Sequence, residues 1–223
     1  MGKLPDGKIN SARYNSASIK VVHVLKQGVS KQSRAGMSLG DQVWRDYRDD
    51  PDSIQAKWKV CAFRTLCVLE GLPSWRAVSR QKVNAVLWPA FLMTAVVNLV
   101  RTTGEPTIAR RVLWKLARRD WPIVRRKLRG LDPDVVVCGG TFDVLADLWH
   151  GPAEGQRELA LRRRYWRDGK VLFVSASHPA QRSVTFARDY ASFRLTLEKA
   201  TSDPDNTRWW RQLTRNALFS LLG

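Results

Sequence analysis

Asn98 sits near the end of an apolar, β-branched run over residues 93–100 (Met-Thr-Ala-Val-Val-Asn-Leu-Val), and Arg101 follows at once. Continuous apolar runs of this kind are strands of a parallel sheet buried on both faces, and such sheets bind ligands beyond their carboxyl ends. An amide delivered to that end is therefore placed for a site. A second run, residues 171–175, leads into Ala-Ser-His-Pro and carries His178 to the equivalent edge. An amide that both donates and accepts, facing an imidazole, is suited to recognising a flat polar ligand such as a nucleobase.

The charge points to the same class of ligand. Among 223 residues, Lys and Arg number 38 against 20 Asp and Glu, a formal net charge of +18. An excess of that size works against a compact chain unless a polyanion is a regular partner, and nucleic acid is the leading candidate. The clusters Arg110-Arg111, Arg118-Arg119, Arg125-Arg126-Lys127 and Arg162-Arg163-Arg164 are interleaved with Trp114, Trp121, Tyr165 and Trp166. Such runs read either as solvated faces or as a groove that tracks phosphates and stacks bases.

Several classes are set aside. The three cysteines, Cys61, Cys67 and Cys138, form no C-x-x-C pair. Disulfides, a metal site and an iron–sulfur cluster are not expected, nor is any cofactor. The first 18 residues lack the apolar centre of a signal peptide. The longest apolar run, residues 85–100, is broken by Pro89 and Asn98 and falls short of the roughly 20 residues of a membrane span. The expectation is a monomer in the cytoplasm, associated with the nucleoid and not with a membrane.

The elements that position Asn98 and His178 follow from periodicity. Residues 1–18 read as a flexible start and residues 19–223 as a single α/β domain. Residues 19–25 predict a first strand, and the Gly- and Ser-rich residues 26–40 a long loop. Trp58, Cys61, Ala62, Thr65, Leu66 and Leu69 recur at helical spacing up to Gly71. The strand ending at Asn98 is followed by a basic helix with a stripe of Val112, Leu113, Leu116 and Ala117, and Asp120-Trp121-Pro122 predicts a restart. A third strand spans residues 134–138; Gly139-Gly140-Thr141 then turns into a short helix over residues 142–149. After a polar, Arg-rich excursion, residues 170–175 predict a fourth strand and residues 183–199 a closing helix. A polar linker at residues 201–206 leads to a short terminal helix. Four strands separated by helical crossovers predict a three-layer α/β/α sandwich around a four-stranded parallel sheet.

In the order of these pieces the chain resembles the uracil-DNA glycosylase superfamily. The likeness lies in the strand-loop at residues 22–27, in Val97-Asn98-Leu99-Val100-Arg101 followed by Gly104-Glu105-Pro106, in the helix-to-strand passage of residues 124–139, and in residues 171–182 with His178-Pro179. It covers roughly residues 19–199, and the second and fourth pieces are its specific parts. The resemblance implies a DNA repair glycosylase that flips uracil out of single- or double-stranded DNA and hydrolyses its N-glycosidic bond.

Under that resemblance Asn98 reads the edge of uracil, and His178 stabilises the charge that develops at O2. Lys26 belongs to the water-holding loop beside the base, and Trp44 and Tyr47 are the candidates to stack on it. Arg101, Ser177 and Arg182 fall to the DNA, with Arg182 in the loop that presses into the minor groove. The chain departs from the family where many members carry an acid after the first strand: it has Leu25-Lys26-Gln27-Gly28, and no carboxylate until Asp41. Either Gln27 holds the water through its amide, or Asp41 or Asp46 swings in.

Other readings stay open beside this one. Gly139-Gly140-Thr141 is either a tight turn or a phosphate nest at a helix start. A chain that has lost its acid could bind nucleic acid without cutting it. A nucleotide-binding or transferase domain is a third possibility, but it lacks both G-x-G-x-x-G and G-x-x-x-x-G-K-[ST].

Overall fold

The computed structural model describes residues 7–27, 56–71, 76, 83–100, 109–151, 154–179 and 185–222. Its strands are β1 (Gly7–Lys8), β2 (Val21–Gln27), β3 (Thr94–Val100), β4 (Val135–Gly139), β5 (Tyr165–Asp168) and β6 (Val171–Ala176). The helices are α1 (Ser11–Ser16), α2 (Ala56–Leu69), α3 (Val83–Leu92), α4 (Arg110–Leu131), α5 (Phe142–His150), α6 (Glu154–Arg163), α7 (Phe186–Ser202) and α8 (Pro204–Leu222).

The strands form one sheet in the order β1-β3-β2-β4-β6-β5. The four predicted strands are its centre, and β3, β2, β4 and β6 pair in parallel. The expectation of a four-stranded, purely parallel sheet is corrected at both edges, where β1 pairs antiparallel with β3 and β5 antiparallel with β6. Both additions are short. β1 lies inside the segment read as flexible, where Asn10 also caps α1 by accepting from Arg13 N–H. The Tyr14 hydroxyl of α1 reaches across to donate to the Leu131 carbonyl at 2.9 Å.

Each face of the sheet carries its own apolar layer, as strict alternation along buried strands requires. On one face Val21, Leu25, Val96, Val135, Val137, Leu172 and Val174 pack under α2, α3 and α7. On the other, Val22, Val24, Ala95, Val97, Val136, Cys138 and Phe173 pack under α1, α4, α5 and α6. All three cysteines are buried free thiols, and burial pushes the Cys61 thiol up to about 12.

The terminal helix α8 is long, 19 residues, and the Arg-rich excursion contains α6; two further helical boundaries differ from expectation for clear physical reasons. α4 continues through Pro122 instead of restarting there, because Leu113 and Ala117 before the proline and Val124 and Leu128 after it pack on the same face, with only the buried Asp120 between them. The linker expected at residues 201–206 is only a corner: α7 ends at Ser202, Asp203 accepts from Asp205 N–H, and Pro204 occupies the first turn of α8. Among the described residues, no helix is long and apolar enough to cross a membrane.

One polar residue interrupts the core of the central strand. His23 of β2 is fully buried, its Nε2 is 2.9 Å from Thr65 Oγ1 on α2, and its Nδ1 has no hydrogen-bond partner. Burial, with the nearby Arg64 charge, lowers its pKa to about 3. The folded protein therefore keeps His23 neutral while the unfolded chain takes up a proton below pH 6.5. Unfolded-state protonation exceeds native protonation between those values, so stability falls as pH drops from 6.5 toward 3. Denaturant unfolding at stepped pH should show this loss, with a slope approaching about 1.4 kcal/mol per pH unit for each such histidine. His23→Gln should remove one proton's share of the slope; an unchanged slope would mean that this ring is not held neutral.

Candidate functional site

The chain leaves β2 for helices on one face of the sheet, and it leaves the adjacent β4 for helices on the other. The carboxyl ends of β2 and β4 thus flank a crevice, the place where open α/β sheets bind ligands. Register sets a single transverse row along this edge: Asn98 lies opposite Leu25, Leu25 opposite Gly139, and Gly139 opposite Ala176.

Gly139 and Gly140 are what bring the far strand's loop into the crevice. A Cβ at Gly139 would stand 2.8 Å from Leu25 Cδ2 and 3.2 Å from Pro179 Cδ. Gly140 has φ +69°, and a Cβ there would meet His178 Cβ and Lys26 Cε, each at 3.1 Å. The absent side chains let His178 fold down against the turn while Lys26 arrives from β2. Two bonds lock the turn: Gly140 N–H donates to the Ala176 carbonyl at 2.8 Å, and the buried Thr141 hydroxyl donates to the Val24 carbonyl at 2.8 Å. The tight-turn reading of Gly139-Gly140-Thr141 therefore holds.

Asn98 is buried, 5% exposed, on the same side of the sheet as Leu25. Two strand spacings separate it from Gly139, about 10 Å between backbones. Register and the contact with Gly140 thus place Asn98 and His178 at the same carboxyl edge of the sheet, Asn98 on β3 and His178 against the end of β4, two strands away.

The electrostatics of the edge are positive around a neutral ring. Burial, together with the charges of Lys26, Arg64 and Lys57, lowers the His178 pKa to about 4. The ring is thus a neutral hydrogen-bonding group at neutral pH, with Lys26, Lys57 and the Asp189-paired Arg64 close enough to act on it. Such a site favours a ligand that carries or develops negative charge.

Arg64 was not among the residues singled out from sequence. It is fully buried on α2, and its Nε and Nη2 donate to the two oxygens of Asp189 on α7 at 3.1 and 2.6 Å. The same Nη2 donates to the carbonyl and the hydroxyl of Ser177 at 2.9 and 3.0 Å. The Ser177 hydroxyl in turn donates to Asp189. Ser177, expected at the DNA, has its hydroxyl in this interior network, so its role is to fasten the residue before His178. A signal for this was present: Lys57, Cys61 and Arg64 fall at i, i+4 and i+7, one helix face on which two cations interrupt an apolar stretch.

The remaining expected site residues are placed as follows. The backbone of Gln27 ends β2, paired with Val100 at the same edge. Asp41, Trp44, Asp46, Tyr47, Arg101 and Arg182 lie outside the described residues. No protein-family model matches the chain, and no curated protein matches it.

The buried ion pair should behave as a unit. Arg64→Met leaves the Asp189 carboxylate without its partner and should cost about 3–5 kcal/mol in denaturant unfolding. The double variant Arg64→Met/Asp189→Leu should recover most of that loss while leaving the His178 loop untethered. Additive losses in the two single variants and the double would show that the two groups do not share one interaction.

Proposed function

We propose that the chain is a DNA glycosylase that binds an extruded uracil between Asn98 and His178 and hydrolyses its N-glycosidic bond, leaving an abasic site. The single observation that carries this reading is His178, packed with Lys26 against Gly140 on the same sheet edge as the buried amide of Asn98, its ring kept neutral by burial and nearby positive charge. The resemblance in the Asn98 and His178-Pro179 segments supports it, as does the net charge of +18.

The chemistry matches what such an edge supplies. The Asn98 amide donates to uracil O4 and accepts from N3–H; cytosine, with an amino group at C4 and no N3–H, mismatches both. As the N1–C1′ bond breaks, its electron pair goes to the base, and charge gathers at O2. His178 donates a hydrogen bond there, while the three cations stabilise the anion without themselves transferring a proton. Water held by Gln27 adds to C1′ and gives its proton to Asp41 or to solvent.

A second reading, a nucleic-acid binder without catalysis, is favoured by one observation. Asp189, the carboxylate fastened beside the His178 loop, is already committed to Arg64 and Ser177. The same assay separates the two. A labelled oligonucleotide with one uracil, incubated with the protein and then with alkali, should be cut at the uracil. His178→Ala should slow base release about 100- to 1000-fold, the usual cost of losing a donor at a developing oxyanion. Asn98→Asp should weaken uracil release and shift it toward cytosine. Binding with no strand scission at high enzyme would select the non-catalytic reading.

A further inference from the structure

A cavity of about 350 Å³ opens on the opposite face of the sheet from His178, between the start of α4, α5 and α6. Arg110, Arg157 and Arg164 line it, and Arg118 lies beside it, against the lining residues Asp147 and Trp114. Asp143 takes Arg110 at 3.4 Å and Arg164 at 2.7 Å, and Asp147 takes Arg118 at 3.4 Å and Arg157 at 3.1 Å. Four guanidiniums thus share two carboxylates, which leaves two positive charges uncompensated.

The arginines divide into fixed and movable ones. Arg164 is held by a 2.7 Å bond to Ser175 Oγ and by its place over the Phe142 ring. Arg157 carries a solvent-inaccessible Nε with no hydrogen-bond partner. A buried donor left unpaired is costly, so Asp147 alone does not satisfy this guanidinium. Arg110 and Arg118 are 74% and 66% exposed, and their long 3.4 Å contacts leave both forks able to turn to another anion. Trp114, half-buried, and Leu161 give the cavity an apolar side.

We infer that this cleft binds the phosphodiester backbone of a nucleic-acid strand, one sugar-phosphate unit lying among the arginines with apolar contact to Trp114. Guanidinium forks match phosphate oxygens in pairs, and an aromatic beside a basic groove is how single strands are held without sequence preference. The position fits as well. Arg110 opens the helix that follows β3, and Asp143 lies in the first turn of the helix that follows Gly140-Thr141, so the cleft adjoins the same sheet edge as His178. A strand with one base at His178 can pass over that edge and leave its neighbouring phosphates here. The inference rests on the nucleic-acid part of the proposed function, and not on bond cleavage.

The test uses the full chain and a labelled oligodeoxythymidylate of about 20 nucleotides, which contains no uracil, so that binding is read apart from base release. Anisotropy is followed across a salt titration for wild type, Arg110→Gln/Arg118→Gln, Trp114→Leu, and a control pair of exposed α4 arginines, Arg125→Gln/Arg126→Gln. The cleft pair should bind about tenfold more weakly and lower the salt slope by roughly 1.4, about 0.7 for each lost phosphate contact. Trp114→Leu should weaken binding several-fold with the slope unchanged, and the control pair should change both quantities less than the cleft pair does. Equal losses for the cleft and control pairs would overturn the assignment, since only overall charge would then matter. Inorganic pyrophosphate that competes more tightly than the strand, at matched ionic strength, would overturn it in favour of a free phosphoester. A protein inactive on uracil that still passes this test retains the cleft and loses only the glycosylase reading.

Discussion

The buried pair of Arg64 and Asp189 is the interaction on which the rest of the carboxyl edge depends. Taking both charges out of water is expensive, and their attraction offsets it through close, two-point contact, although the Arg64 Nη1 stays buried without a hydrogen-bond partner. Here the guanidinium serves two carboxylate oxygens together with the carbonyl and hydroxyl of Ser177. Three elements are joined as a result: α2 from the first crossover, α7 from the end of the domain, and the loop that carries His178. A hydrophobic pair could fill the same space, but it could not fix the direction of a loop backbone. The polar network supplies that direction, and Gly140 supplies the room into which the loop turns.

That fastening also shapes the charge of the site. A guanidinium placed for structural reasons stands near enough to His178 to help keep it neutral, in company with Lys26 and Lys57. The same arginine lowers the proton affinity of His23 one layer below. One buried cation thus lowers the proton affinity of both histidines. The result is a ring that can hydrogen-bond without competing for a proton, inside a field that favours an anion. On the opposite face the arginines around Asp143 and Asp147 continue the positive surface, so charge brackets the edge from both sides of the sheet.

The parts of this molecule legible in its sequence are those set by local burial. The four central strands read clearly because strands covered on both faces are continuous apolar runs, and helix α2 because its apolar positions repeat at 3.6 residues. β1 and β5 were missed for a physical reason. A two-residue edge strand has no periodicity to detect, and β5, Tyr165–Asp168, buries only its first two residues and leaves Arg167 and Asp168 exposed. Their strand character comes from the neighbour they pair with. Pro122 misled in the opposite direction, since the local cost of a proline is overridden when both halves of a helix pack on the same sheet.

The sequence by itself determined the α/β class, the order of the central elements, and the delivery of Asn98 and His178 to strand ends, because each depends on short-range pattern and alternation. Tertiary structure alone decided that His178 rests on Gly140 beside Lys26, that Ser177 faces inward, and that Arg64 finds Asp189 across 125 positions of chain. Those contacts depend on strand register and on which helices share a face. Neither property is local, because each is set by how the whole sheet pairs and packs.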